Sequence, residues 1–175
     1  MASITMRLYR VRRNVFNYQM RKLDISSFER LKVLDIGSGT GFYLDLLRSL
    51  GVKRVTGSDI ATVAVERLRK SYSRQRIVQL DIGNSLEAQG FLENAFDIIT
   101  AFDVLFHIVD DKRFQKAFIN ISMLLKPGGY FIFSENFPHN KVIRYEYQVS
   151  RSIEEIDATI KKRDSPLSTG RRCSF

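Results

Sequence analysis

Four acidic residues, one glycine turn and one histidine carry the spacing from which chemistry can be built. Asp35 stands two residues before the turn Gly37-Ser38-Gly39-Thr40-Gly41, which follows the apolar run Val33, Leu34 and Ile36. Glycines let the chain double back through unusual φ/ψ and let a ligand approach bare backbone. The N–H groups that open the next helix then face whatever lies above the strand. Asp59 lies at the end of a second strand, RVTGSDI at 54–60, 24 positions after Asp35. A carboxylate at the tip of a second parallel strand can accept hydrogen bonds from both hydroxyls of a ribose; a plain turn acid or helix cap is the alternative. Asp81 follows a third strand, and Asp103 and His107 follow a fourth, at the carboxyl end where open α/β sheets hold their ligands. An imidazole titrates near neutrality, so His107 is the candidate general base, against a residue that only caps or packs. Two histidines far apart, His107 and His139, and one cysteine, Cys173, give no metal-ligand pattern.

These positions need a scaffold, and the apolar pattern supplies one. Tyr43, Leu44, Leu46, Leu47 and Leu50 recur at helical spacing behind the glycine turn, so strand, turn and helix make the first half of a βαβ unit. Further strands are predicted at 54–60, 76–80, 95–102 and 130–133, and helices at 7–23, 62–70 and 111–125. Asp110-Asp111 opens the last of these helices, and Lys126-Pro127-Gly128-Gly129 ends it in a strong turn. Ser152-Ile153-Glu154-Glu155 is a capping box, which predicts a helix to about Lys162. Residues 84–94 read as a short polar connection.

The chain has 175 residues, which suits one domain, and its 44% hydrophobic content supports a core. No apolar run approaches the ~20 residues of a membrane span. A single cysteine excludes an internal disulfide and suits a reducing compartment, so the cytoplasm is the expected location. The net charge of +9 lies at the ends: +6 on residues 1–23, +1 on 24–150 and +2 on 151–175. That argues against a broad nucleic-acid face on the central domain. In the basic N-terminal helix, Leu8, Val11, Val15, Phe16 and Met20 fall near one face, which reads as a helical lid over residues 1–30. A transit peptide and an RNA or acidic-surface contact are the competing readings.

The form Asp35-x-Gly37-x-Gly39-x-Gly41 resembles the first motif of class I S-adenosylmethionine (SAM) dependent methyltransferases. Phe96-Asp97 and the run LLKPGGYFIFSE at 124–135 resemble later segments of that family. Dinucleotide enzymes use G-x-G-x-x-G instead, which disfavours an NAD-dependent oxidoreductase. The resemblance covers residues 31–162, the expected SAM-binding domain, and implies an α/β, Rossmann-like, doubly wound and mostly parallel sheet. By that resemblance, Gly37, Ser38 and Gly39 run along the cofactor's methionine part and Asp35 helps hold its amino group, in the family usually through water. Asp59 would grip the ribose and Ile60 would pack on the adenine. Asp81 would accept from the adenine amine while the backbone at Ile82 meets the ring. Phe102 and Asp103 would lie near the sulfonium, where the methyl group meets its acceptor. The family builds its substrate pocket after Glu135, which makes His139, Arg144 and Tyr145 the substrate candidates.

The family's common fold has seven strands, the last two an antiparallel pair after the final helix. Nothing after Lys162 has the alternating pattern of a strand. The expectation is therefore five strands in order 3-2-1-4-5, the last two family strands missing, with a disordered basic tail at 163–175. An exposed fifth strand would then be a pairing hazard and a route to a homodimer. The expected function is methyl transfer from SAM to an O or N atom of a small-molecule acceptor, leaving S-adenosyl-L-homocysteine. A SAM-binding module without turnover is the alternative.

Overall fold

The structure, a computed structural model, describes residues 4–23, 25–86, 89–91, 93–138, 142–161 and 172–174. Five strands form its centre: β1 (Lys32–Ile36), β2 (Arg54–Asp59), β3 (Arg76–Gln79), β4 (Phe96–Ala101) and β5 (Leu125–Phe133). They run parallel in the order 3-2-1-4-5, so the chain reverses direction across the sheet between β1 and β4. Within β5 the ladder shifts register over Lys126–Gly129: Leu125 pairs with Phe96, and pairing resumes at Tyr130 with Ile98. The turn chemistry of Lys-Pro-Gly-Gly is thus accommodated as an irregularity, with Gly128 at φ +76°.

Side chains alternate across a strand, so a strand covered on both faces can be apolar throughout. Leu34, Ile99 and Phe131 point to one face, and Val33, Ile98 and Ile132 to the other. The first face is covered by α4 (Asp111–Leu124) through Phe114, Ala117, Phe118, Ile121 and Leu124, and by α5 (Ile153–Lys161) through Ile156. The second is covered by α1 (Ile4–Lys22), α2 (Phe42–Ser49) and α3 (Thr62–Ser71). This is the doubly wound arrangement expected from the alternation of strands and helices. No helix among the described residues is long and apolar enough to cross a membrane.

Two caps hold as the sequence implies. Asp110 accepts the Arg113 N–H at 2.8 Å and caps α4, and Ser152 Oγ accepts the Glu155 N–H at 3.3 Å and opens α5. The N-terminal helix differs from expectation. Phe16 and Met20 are buried, whereas Leu8, Val11 and Val15 are each more than half exposed. The helix docks along the line Phe16–Met20, which tilts the rest of its apolar face toward solvent.

The C-terminal end also differs. Arg172–Ser174 forms a further strand, β8, parallel to β5 and paired with Tyr130, Phe131 and Ile132. The edge of β5 expected to be bare is therefore covered along those three residues. Edge pairing needs only backbone N–H and C=O groups, which every non-proline residue carries, so no apolar alternation announces it. The rest of the expected disordered tail, 163–171 and 175, lies outside the described residues, as does Lys162. A small hairpin, β6 (Ile143–Arg144) with β7 (Val149–Ser150), is antiparallel and separate from the main sheet.

Candidate active site

The turn after β1 is built for close backbone packing. Gly37 sits at φ +69° and Gly39 at φ +52°. A Cβ on Gly37 would lie 2.2 Å from Val104 Cγ2, so only glycine fits beneath that side chain. Ser38 turns inward: its hydroxyl donates to the Asp35 carbonyl at 3.1 Å and accepts the Ser58 N–H at 3.1 Å, locking the turn to β2. Asp35 is buried as well. Its Oδ1 accepts the Thr100 hydroxyl at 2.7 Å, while Oδ2 has no hydrogen-bond partner. Burial pushes the Asp35 carboxyl up to about 6, against the pull of the Thr100 hydroxyl.

Asp59 bridges the turn and the next loop. Its Oδ2 accepts the Gly39 N–H and its Oδ1 the Ala61 N–H, each at 3.0 Å. Above the tips of β1 and β2 opens a cleft of about 390 Å³. Gly37, Asp59, Ile60, Asp81, Ile82, Asp103 and His107 all line it, so seven of the residues singled out by sequence meet at one cavity. Asp35, Ser38, Gly39 and Phe102 lie outside that lining and shape the turn or the neighbouring groove.

The side of the cleft next to β3 is fixed by residues that sequence reasoning did not single out. Asp81 accepts from Arg113 at 2.6 Å and from the Gly83 N–H at 3.1 Å. The buried Asn120 amide donates to the carbonyls of Ile82 and Asn84 at 2.7 and 2.6 Å, so α4 holds the loop after β3. The far wall runs from Asp103 and Val104 to His107, Ile108 and Val109 around the 3-10 turn Leu105–His107, and His107 Nδ1 lies 3.3 Å from the Tyr147 carbonyl oxygen.

Behind that wall, Asp111 is held by Arg144 at 2.6 Å and by the buried Arg151 at 2.8 Å, and Arg151 stacks on Phe114 at 3.7 Å. The Arg151 hydrogen bond first, and then Arg144, hold the Asp111 carboxyl below the usual carboxylate range despite partial burial. Arg144 is thus engaged in tying the small hairpin down, and neither it nor the exposed Tyr145 lines the cleft. His139 lies outside the described residues. Arg151 and Asn120 are buried polar residues whose partners lie on other elements, so nothing local in the sequence marks them.

A second groove, of about 260 Å³, adjoins the cleft on the α1 side. Phe16, Tyr43, Phe102, Phe133 and Phe137 line it, with Tyr43 and Phe102 stacked at 4.2 Å. Asp103 lines both cavities. It is held at φ +58° by Ser134, whose Oγ accepts the Asp103 N–H at 2.9 Å and donates to Asp103 Oδ1 at 3.1 Å. Arg12 of α1 pairs with Asp103 Oδ2 at 2.5 Å, so the N-terminal helix is clamped over this junction.

Glu135, just past β5, is a further ionisable group that sequence reasoning passed over as the start of a loop. Burial pushes its carboxyl up to about 7, Asp103 adds in the same direction, and the Asn136 N–H and Arg151 oppose. A carboxyl whose pKa is higher folded than unfolded binds its proton more tightly in the native state. Stability therefore falls as pH rises from about 4.5 to about 7 and stays lower above that. Glu135→Gln should raise the unfolding free energy at pH 8 by about 1–2 kcal/mol and leave that at pH 5 nearly unchanged. Urea titrations at the two pH values check this; equal shifts at both would refute the buried charge.

The residues present fit SAM. The cleft's 390 Å³ falls within the roughly 300–1,000 Å³ of small-molecule sites. Each Asp59 oxygen uses one lone pair on a backbone N–H and keeps another for a ribose hydroxyl. Asp35 Oδ2, buried and unpartnered, suits an ammonium nearby.

A family model described as "Methyltransferase domain" matches residues 34–133. Among curated proteins, the chain is 34% identical over 115 residues to the lovastatin nonaketide synthase mokA of Monascus pilosus, covering 62% of this chain and 4% of that one. It is 36% identical over 112 residues to the highly reducing polyketide synthase ctvA of Aspergillus terreus, covering 60% and 4%. The chain thus spans only a few hundredths of the length of these relatives. Among solved structures, the PH0226 protein of Pyrococcus horikoshii OT3 superposes with a TM-score of 0.67 at 21% identity, over 87% of this chain and 80% of the other. The trans-methyltransferase CalH, solved with S-adenosylhomocysteine, superposes with a TM-score of 0.56 at 23% identity, over 74% and 37%. A matched family model that spans more than half of the chain, on a sheet ordered 3-2-1-4-5, places the protein among the class I SAM-dependent methyltransferases.

Proposed function

We propose that the chain moves a methyl group from SAM to a small-molecule acceptor where the strand-tip cleft meets the aromatic groove. The observation that carries this reading is the position of Asp103, which lines both cavities. Bound in the cleft, SAM supplies a methyl group on a positively charged sulfur, which keeps the bonding electron pair as the methyl leaves. The chain's own contribution is binding, alignment and exclusion of water. Asp59 takes the ribose hydroxyls, Ile60 and Ile82 flank the base, and Asp81 accepts from its amine. The backbone of Gly37–Gly39 takes the amino-acid end, and the buried Asp35 carboxyl, set behind the cleft lining, attracts its ammonium without touching it. Phe102 and Asp103 stand beside the sulfonium. In-line alignment of acceptor and methyl can supply several kcal/mol. The rings of Phe16, Tyr43, Phe102, Phe133 and Phe137 keep water from the acceptor's lone pair, and they suit an acceptor with an apolar body.

An oxygen or nitrogen acceptor is the first reading. A hydroxyl would give its proton to His107 on the cleft wall, whereas an amine need only be neutral. A carbon acceptor is the second, supported by the polyketide synthases among the relatives, because a carbon between two carbonyls also yields a proton to a base. A cytoplasmic setting agrees with the single cysteine.

The test is radiolabelled SAM offered with a phenol, an amine and a β-keto thioester, alongside calorimetry with S-adenosylhomocysteine. We expect saturable binding of the nucleoside and label in one acceptor class. Binding without transfer to a broad acceptor panel would favour a binding module, and absence of binding would overturn the reading.

A further inference from the structure

The other end of the sheet holds a larger cavity, of about 440 Å³, lined by Lys32, Lys53, Arg54, Arg74, Arg76 and Phe91. Its charge has a topological origin. Lys32, Arg54 and Arg76 are the first residues of β1, β2 and β3, spaced 22 positions apart in the chain. Lys32 pairs with Arg54 across the sheet, and Arg76 pairs with Thr56. Neighbouring strands lie about 4.8 Å apart, so three successive βα units start on a row of like charges well within a Debye length of about 10 Å.

Little at that end offsets them. Lys53 is paired with Glu29, and the Arg54 guanidinium donates to the Arg30 carbonyl. Asp97 is already engaged by Lys126 at 2.6 Å and by the Lys32 backbone N–H at 2.7 Å. Among the described residues, no carboxylate pairs with the side chains of Lys32, Arg74 or Arg76. Residues 24–150 carry a net charge of only +1, so this concentration of five bases is local and does not follow from overall basicity. Gathering cations in one concavity raises the local potential and favours a bound anion. The apolar Val55, Phe91 and Phe96 also line the cavity.

We propose that this cavity is a second ligand site, separate from the strand tips, for a phosphorylated small molecule with an apolar or aromatic body. The guanidinium forks of Arg74 and Arg76 and the Lys32 ammonium take the phosphate oxygens, and the body lies against Phe91 and Val55. A single phosphate group, carrying about −1.5 to −2, neutralises about half of the charge on Lys32, Arg54, Arg74 and Arg76, none of which is salt-bridged among the described residues.

Calorimetric titration of the full chain with phenyl phosphate and with inorganic phosphate, at low and high salt, tests this. The expected result is one saturable site for phenyl phosphate, weaker for inorganic phosphate and weakened by salt. Saturating S-adenosylhomocysteine should leave it unchanged. Arg74→Glu/Arg76→Glu should weaken it by roughly tenfold or more while S-adenosylhomocysteine still binds as before, which also reports that the variant is folded. Should that variant fail to fold, Lys32→Gln alone should weaken binding severalfold. Absence of saturable binding, displacement by S-adenosylhomocysteine, or binding that survives these substitutions would overturn the proposal.

Discussion

Asp59→Ala is expected to weaken S-adenosylhomocysteine binding by about 1–3 kcal/mol, roughly 5- to 150-fold. Two losses add. The ribose hydroxyls lose a charged acceptor, and the Gly39 and Ala61 N–H groups lose the carboxylate that pins the turn. Asn at the same position separates a binder from a turn former. Asparagine forms local turns about as well as aspartate, so a residue that only shapes the loop would tolerate it. A residue that must accept on both oxygens would not, because one oxygen becomes an NH₂ that faces an N–H. Calorimetry on Asp59→Asn should therefore show a loss close to that of Asp59→Ala, and unchanged affinity in Asn would reduce Asp59 to a turn acid. Removing the charge should also lower the Asp35 pKa, since Asp59 is one of the groups that raise it. A carbon-13 NMR titration of the Asp35 carboxyl would register that shift even if the ligand affinity did not move.

The parts of the fold that were legible are those encoded locally. Continuous apolar runs mark strands covered on both faces, and β1 and β4 obey that rule with Val33-Leu34 and Ile98-Ile99, whereas β2 also buries the polar Thr56 and Ser58. Glycine spacing locates the turn because φ > 0 is a property of single residues. Acids at strand tips are legible for the same reason, since the tip follows from where the apolar run ends. What escaped was set between elements. A stripe at helical spacing shows that α1 has an apolar face, but which end of that face meets the domain depends on docking, and Leu8, Val11 and Val15 remain largely exposed. Arg151 has the composition of a surface residue and is buried only because Asp111 and Phe114 of α4 receive it. The basic cavity needed three strands in register before bases 22 positions apart became neighbours.

Gly37→Ala should cost more than Gly39→Ala, although both glycines lie in the left-handed region. The backbone term is similar, about 1–2 kcal/mol for a Cβ forced to φ > 0. The contacts are not. A Cβ on Gly39 finds only the Gly37 carbonyl oxygen, at an ordinary 3.7 Å, whereas one on Gly37 lands 2.2 Å from Val104 Cγ2. Val104 lines the same cleft, so its displacement adds about 1–3 kcal/mol of overpacking and narrows the cofactor's space. Urea unfolding should therefore place Gly39→Ala about 1–2 kcal/mol and Gly37→Ala about 2–5 kcal/mol below the parent protein, with S-adenosylhomocysteine affinity reduced more in the latter. Val104→Ala separates the two terms. Combined with Gly37→Ala it removes the clash but not the φ strain, so the double variant should recover part of the stability that Gly37→Ala alone loses. Their effects would then be non-additive in the stabilising sense. Strict additivity, or equal losses at the two glycines, would mean that the turn tolerates a side chain at Gly37 and that its bare backbone is not what the cleft requires.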